Sequence, residues 1–146
     1  MKKLFIAVLL TFTVAASAFA KDTKKVHNAA IRTFNEEFAK ASDVNWISTD
    51  SYVKATFVLD NAKMEAFYNG SGEKIATSRA IMLEELPVKT KRAFAKDYSG
   101  YNVKEAIEFN GTDETAYFIS AENEKESVIL KVNSANELSK YKITKK

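Results

Sequence analysis

The chain offers little with which to run a reaction. It has one histidine, His27, no cysteine, and two pairs of adjacent glutamates, Glu36-Glu37 and Glu84-Glu85. Without cysteine there is no disulfide framework, no thiolate nucleophile, no iron–sulfur cluster and no Cys-based zinc site. One histidine cannot build a multi-histidine metal centre. A histidine acting as general base also needs an oriented partner and a pocket; His27 falls near the start of a helix and reads as a surface residue. Neighbours on a helix diverge by about 100°, so neither glutamate pair faces one substrate, and both read as solvated helix surface. Asp113-Glu114 and Glu122-Asn123-Glu124 carry oxygen ligands but lack the spacing and glycine of a calcium loop. Asn69-Gly70-Ser71 and Asn110-Gly111-Thr112 match the glycosylation sequon and read more simply as hairpin turns. Gly70-Ser71-Gly72 lacks the Lys-Ser/Thr of a phosphate loop. No catalytic residue, metal or cofactor is expected.

Composition narrows the partners. The 146 residues hold 22 Lys+Arg against 19 Asp+Glu, with 46% apolar and 12% aromatic residues. That is enough apolar material to fill a core. Lys89, Lys91, Arg92 and Lys96 share one helix, but acidic residues are interspersed nearby and the balance is near even. A nucleic-acid interface needs a clustered basic face, so nucleic acid is not an expected partner.

Residues 1–20 read as a secretory signal peptide. Met1-Lys2-Lys3 is positive, Leu4 to Val14 is apolar apart from two threonines, and Ala18-Phe19-Ala20 supplies an A-x-A site. The apolar run is too short for the roughly 20 residues of a spanning helix. Cleavage is expected after Ala20 and leaves 126 residues with 20 basic and 19 acidic side chains, since Lys2 and Lys3 leave with the leader. No later stretch is apolar and long enough to insert in a membrane. The expected location is the periplasm or the outside of the cell.

The elements that must position any functional residue come in a repeated order. Ile31, Phe34, Phe38 and Ala41 recur at helical spacing over about 26–41. Short extended segments follow at Val44–Ser48, Tyr52–Leu59, Ala62–Tyr68 and Glu73–Thr77. The same order then recurs: Pro87 opens a helix reaching about Tyr98, and strands are expected over Val103–Phe109, Thr115–Ser120, Ser127–Val132 and Leu138–Ile143. Phe34 and Phe38 match Phe94 and Tyr98, while Tyr68-Asn69 and Gly72-Glu73 match Val132-Asn133 and Asn136-Glu137. This spacing of about 60 reads as an internal duplication. The expected architecture is an α+β domain over 21–146, made of two repeats (about 26–79 and 80–146) that share one antiparallel sheet with both helices on one face.

Val44-Asn45-Trp46, Tyr52-Val53-Lys54-Ala55-Thr56-Phe57 and Ala66-Phe67-Tyr68-Asn69-Gly70-Ser71-Gly72-Glu73-Lys74-Ile75 resemble one repeat of a known family. Leu86-Pro87 through Tyr98-Ser99-Gly100-Tyr101 is similar to its second helical segment. With the leader, these resemble the PepSY-like, beta-lactamase-inhibitor-like domain of exported bacterial proteins, common in Bacteroidetes. The second repeat departs from the pattern at Glu105, which falls where Trp46 stands in the first. The resemblance implies tandem helix-plus-sheet units, export, and a role in binding or inhibiting another protein; it implies no catalytic residues.

Binding is what remains. If Val53, Phe57, Leu59, Met64, Ala66 and Tyr68 face the helices, the opposite sheet face carries Tyr52, Val58 and Phe67. The second repeat adds Tyr117 or Phe118, and Ile129, with Lys54, Glu65 and Lys131 as a polar flank. Trp46 reads as core. Tyr52, Val58, Phe67, Tyr117 and Ile129 are thus the candidate partner-binding residues of an exported, non-catalytic module that grips another exported protein. Pairing into a homodimer is the other use of such a face. The alternative function is a periplasmic small-ligand or envelope-stress binding protein.

Overall fold

Two helices and eight strands alternate in two runs. The computed structural model describes residues 26–146; the expected leader, its cleavage site and the lead-in lie outside the described residues. Helix α1 (Asn28–Glu37) is followed by β1 (Ser42–Ser48), β2 (Val53–Leu59), β3 (Ala62–Tyr68) and β4 (Lys74–Ile81). A short 3-10 turn (Leu83–Glu85) leads to α2 (Val88–Asp97), then β5 (Asn102–Gly111), β6 (Thr115–Glu122), β7 (Glu126–Val132) and β8 (Leu138–Lys145). All eight strands form one sheet in sequence order, each antiparallel to its neighbour. The fold is α+β, as the alternating and helical periodicities require.

The helices end earlier than their periodicity suggests. Phe38 leaves the helical region (φ −118°, ψ 45°) and still donates its N–H to Phe34 O; Tyr98 does the same toward Phe94 O. Both aromatic rings therefore fold back onto their own helix face. β4 runs four residues further than the expected Glu73–Thr77, because Ser78 to Ile81 pair with β5.

Both helices lie on the same face of the sheet. Beneath α1, Phe34 meets Phe57 edge-on at 4.9 Å and Trp46 at 5.2 Å, and Phe38 meets Phe57 at 4.8 Å. Ala30, Val53, Ala55, Ala66 and Tyr68 complete that cluster. Beneath α2, Leu86, Phe94 and Tyr98 pack on Ala106, Ile119, Val128, Leu130 and Val132. Each fully buried aliphatic or aromatic side chain contributes about 1.5–3 kcal/mol. Between these two cores the helix side of the sheet is polar: Arg79 donates to Glu108 at 3.1 and 3.3 Å and to Glu85 at 3.0 Å.

Two hairpins fasten the helices to the sheet with the same set of bonds. Asn69 Oδ1 accepts from the N–H groups of Ser71 and Glu73, and Asn69 Nδ2 donates to Glu73. Asn133 makes the same three bonds with Ala135 and Glu137. The helix then reaches the turn: Thr33 donates to Gly72 O at 3.0 Å, and Thr90 to Asn136 O at 3.3 Å. Gly72 and Asn136 both hold positive φ, 84° and 61°.

The sheet edges are guarded differently. β8 exposes Lys140, Lys142 and Lys145, and β1 carries an irregular register between Ser42 and Asn45, with Asp43 at φ 52°. Both devices oppose pairing with another chain's strand.

At Gly72 a methyl group would stand 2.5 Å from Ala29 Cβ and 2.7 Å from Ala30 N, with φ already in the left-handed region. Gly72→Ala is expected to cost about 2 kcal/mol or more and to lower Tm by roughly 6–10 °C. Gly70→Ala, with nothing within 4 Å, should shift stability by less than about 0.5 kcal/mol. Paired thermal melts of the two variants check this.

Candidate functional site: the helix-free sheet face

The face without helices is set by register. Lys54, Phe67, Ala76 and Gly111 lie in one row across β2 to β5. Thr56, Glu65, Ser78, Phe109 and Ala116 form the next. Ile107, Phe118, Lys131 and Ser139 form a third, and Glu105, Ser120, Ile129 and Lys142 a fourth. Directly paired residues of antiparallel strands share a face, so these rows define the site.

Its centre is apolar and closed. Phe67 is 1% exposed, Phe118 and Ile107 0%, with Phe109, Ala76 and Ala116 beside them. Side chains from the turn before β2 and from β8 close over these rings. Tyr52 lies 5.7 Å from Phe67, and Tyr141 meets Phe118 edge-on at 5.6 Å, reaching across β7. The accumulated twist of a long sheet permits such a reach. Lys54 Nζ and Lys131 Nζ sit 6.0 and 5.9 Å from the Phe67 and Phe118 ring centres. Around this centre Tyr52, Ile75, Ile129 and Tyr141 remain partly exposed.

Three expectations for this face need correction. Phe67 lies on it but is buried, because Tyr52 and Lys54 close over its ring. Tyr117 belongs to the other side, against the α2 core; its neighbour Phe118 takes the open-face position, since Phe118 pairs with Ile107 and Lys131. Lys54 and Glu65 are no surface flank: they are 8% and 3% exposed and joined at 2.8 Å. Tyr52, Val58 and Ile129 do lie on this face, half-buried. Trp46 packs against Phe34 and Tyr68 on the helix side. Its place in the second unit is taken by Ala106 rather than Glu105, because both stand eight residues after the helix-ending Phe38 and Tyr98. An irregular register between Val103 and Glu105 turns Glu105 onto the open face.

The sequence reading missed Ser78, Glu105, Ile107 and Phe109. Ser78 lies beyond the expected end of β4 at Thr77, and alternation assigns the face of the three β5 residues only once the bulge at Lys104 is known, which leaves no strong signal in one sequence. The missed groups carry the unusual electrostatics. Burial pushes the Glu65 carboxyl above its ordinary range, against the pull of Lys54 and of the nearby Ser78 and Thr56 hydroxyls. Glu65 Oε2 and Ser78 Oγ are buried without a hydrogen bond of normal geometry. Glu105 is pushed up to about 7 by burial and by the charge of Glu65, which Lys63 partly offsets. Tyr52 is raised by burial and by Glu65. Among the described residues no group of three His, Asp or Glu side chains is placed to hold a metal, and His27 lies exposed at the start of α1.

The folded protein holds the Glu105 proton more tightly than the unfolded chain. Its stabilising effect is therefore complete below about pH 4.5 and is lost as pH rises to about 7. Glu105→Gln should flatten this slope and stabilise the protein at pH 8 by roughly 1 kcal/mol, a figure discounted for the group's partial exposure. Denaturant melts at several pH values measure it. Removing Lys54 alone leaves a buried carboxylate unpaired, so Lys54→Met should cost about 3 kcal/mol, whereas Lys54→Met/Glu65→Leu should recover most of the loss. A double-mutant cycle reads the coupling.

No protein-family model matches the sequence, and no curated protein matches it. Solved structures of similar shape are found. A DUF2874 family protein from Bacteroides uniformis aligns with a TM-score of 0.72 at 14% identity, covering 82% of this chain and 88% of that one. A proposed periplasmic protein from Bacteroides eggerthii gives 0.73 at 14% identity, covering 82% and 88%. A BLIP-like protein from Bacteroides fragilis gives 0.68 at 16% identity, covering 82% and 85%. At these identities the likeness is one of fold. It bears out a beta-lactamase-inhibitor-like architecture and gives no support to the PepSY name.

Proposed function

We propose that this chain is an exported, non-catalytic binding module that grips another exported protein with the helix-free face of its sheet. The observation that carries this reading is the aromatic patch of that face. It has a closed centre at Phe67, Phe109 and Phe118, half-exposed Tyr52, Ile129 and Tyr141 around it, and polar residues outside. An apolar centre with aromatic residues and a polar rim is the make-up of a protein-binding surface. Tyrosine suits it, giving large contact area with few rotatable bonds and a polar tip.

Several further observations support the reading. The leader-like residues 1–20 favour export, and a proposed periplasmic protein shares the fold. The chain has no cysteine, and its one histidine lies outside the face. The matched helices and hairpins favour a duplicated unit whose two copies present one joint surface.

A photoreactive residue placed at Ile129 or Tyr141 tests the proposal in cells exporting the protein, with Arg32 and Lys96 on the exposed helix surfaces as controls. A discrete heavier product from the open-face positions alone is expected. Equal products from both sides, or none from the open face, overturn the reading; a product of twice the chain's mass assigns the face to self-association instead.

A further inference from the structure

We propose that the protein held by this face presents an acidic surface with an apolar anchor, and that it docks along the β7–β8 margin at Ile129, Tyr141 and Lys142. The inference rests on the reading of the face as a protein-binding surface and names the chemistry of what binds there.

The margin combines exposed apolar area with unmatched positive charge. Ile129 and Lys142 are direct partners across β7 and β8, and the register shift between Ile129 and Leu130 leaves Tyr141 as the extra residue of β8. Its ring rests against Phe118 at 5.6 Å. Ile129 and Tyr141 are half-buried, and Lys142 is exposed. From Leu138 to Lys146 the chain holds four lysines and no acidic residue. Lys146 is held by Glu122, whereas Lys140, Lys142 and Lys145 make no ion pair with another described residue. Lys140 and Lys145 leave β8 on its helix side, opposite Leu130 and Glu126. They stand about 7 and 10 Å from Lys142 along the strand, near the roughly 8 Å over which charges act at physiological salt. All three add to the positive field over this edge.

The carboxylates that could neutralise these lysines are taken or distant. Glu114 holds Lys131 at 2.6 Å, Glu122 holds Lys104 and Lys146 at 2.6 and 3.1 Å, and Glu126 accepts from the Tyr101 hydroxyl. Glu137 lies toward Lys89 at the start of the strand, and Glu124 is exposed in the β6–β7 turn beside Lys125. Glu105 shares the row of Ile129 and Lys142 but is three strand spacings, about 14 Å, from Lys142. Edge protection explains lysines along an outer strand. It does not explain an isoleucine and a tyrosine left half-exposed beside one of them on the sheet face. Apolar area bordered by charge is the make-up of an interface. Charge of one sign there selects a partner of the other sign and speeds its encounter.

The probe is a short glutamate peptide with one central tyrosine, followed by amide NMR of the intact protein, with the lysine counterpart as control. Saturable shifts are expected at Ile129, Tyr141 and Lys142 and not at Arg92 and Lys96 on α2. They should weaken severalfold as salt is raised to about 0.2 M. Lys142→Glu, with amide spectra unchanged elsewhere, should weaken binding about fivefold, and Lys142→Arg should stay within about twofold. No saturable shift, equal binding of the lysine peptide, shifts spread equally over α2, or no effect of Lys142→Glu overturns the proposal. Sedimentation with phosphatidylglycerol vesicles that depends on Lys142, without peptide binding, assigns the margin to a lipid surface and overturns it too. Cross-linking from Ile129 in cells separates this inference from the reading beneath it. Cross-links undiminished by Lys142→Glu leave the protein-binding face standing and remove the acidic partner. Absence of any cross-link with Lys142 in place removes the reading itself.

Discussion

Eight strands in sequence order make a sheet with two faces, and the two halves of the chain meet in it only along β4 and β5. On the helix side that meeting is polar. Each helix has its own core, and Arg79, Glu85 and Glu108 fill the strip between them. On the open side it is apolar: Phe67 and Ala76 from the first half pack with Ile107, Phe109, Ala116 and Phe118 from the second. Of the three clusters, this one alone draws its buried members from both halves. The ladder from Ala76↔Gly111 to Ile81↔Ala106 fixes the halves in register, and the open-face cluster supplies the hydrophobic term that keeps them together.

This constraint explains why the face is not simply exposed. A bare apolar surface of this extent would be an aggregation hazard, and the centre is closed by Tyr52 from the turn before β2 and Tyr141 from β8. Lys54 and Lys131 bring charge over the same rings, each held by a glutamate. The solution has an electrostatic consequence. A lysine and a glutamate drawn into the face at Lys54 and Glu65 lose hydration that their mutual attraction offsets only in part, and the strain shows in the raised carboxyls of Glu65 and Glu105. The same closure that stabilises the join buries polar groups at Glu65 and Ser78.

Much of the architecture was legible in the sequence, because it follows from periodicity. Phe34 and Phe38 at helical spacing, Val53-Ala55-Phe57 in strict alternation, and the Asn69 and Asn133 turns each signal one local structure. What stayed hidden depends on interruptions of alternation and on distance across the sheet. The bulge at Lys104 changes the phase of β5, so Glu105 turned up opposite Ser120 on the open face and Ala106 took the place that Trp46 has in β1. Tyr117 and Phe118 are both aromatic, so pattern alone could not choose between them; the partner Ile107 does. Phe67 was placed on the correct face and given the wrong exposure, because its cover comes from Tyr52, fifteen residues away, and from a lysine whose charge reads as surface. Side-chain closure over a sheet is a long-range property that no window of sequence contains.

A division of labour follows for the open face. Phe67, Ile107 and Phe118 cannot be altered without weakening the join between the halves, so they are poor carriers of specificity. Tyr52, Ile129 and Tyr141 contribute less to the core and more to the outer contour, and Lys63 and Lys142 stand exposed at its margin. Shape similarity at 14–16% identity fits the same logic. The fold is held by alternation, small residues at crowded rows and turn chemistry, all of which tolerate exchange among residues of like character. The ring of half-exposed side chains around the closed centre is where a change alters the surface before it alters the fold.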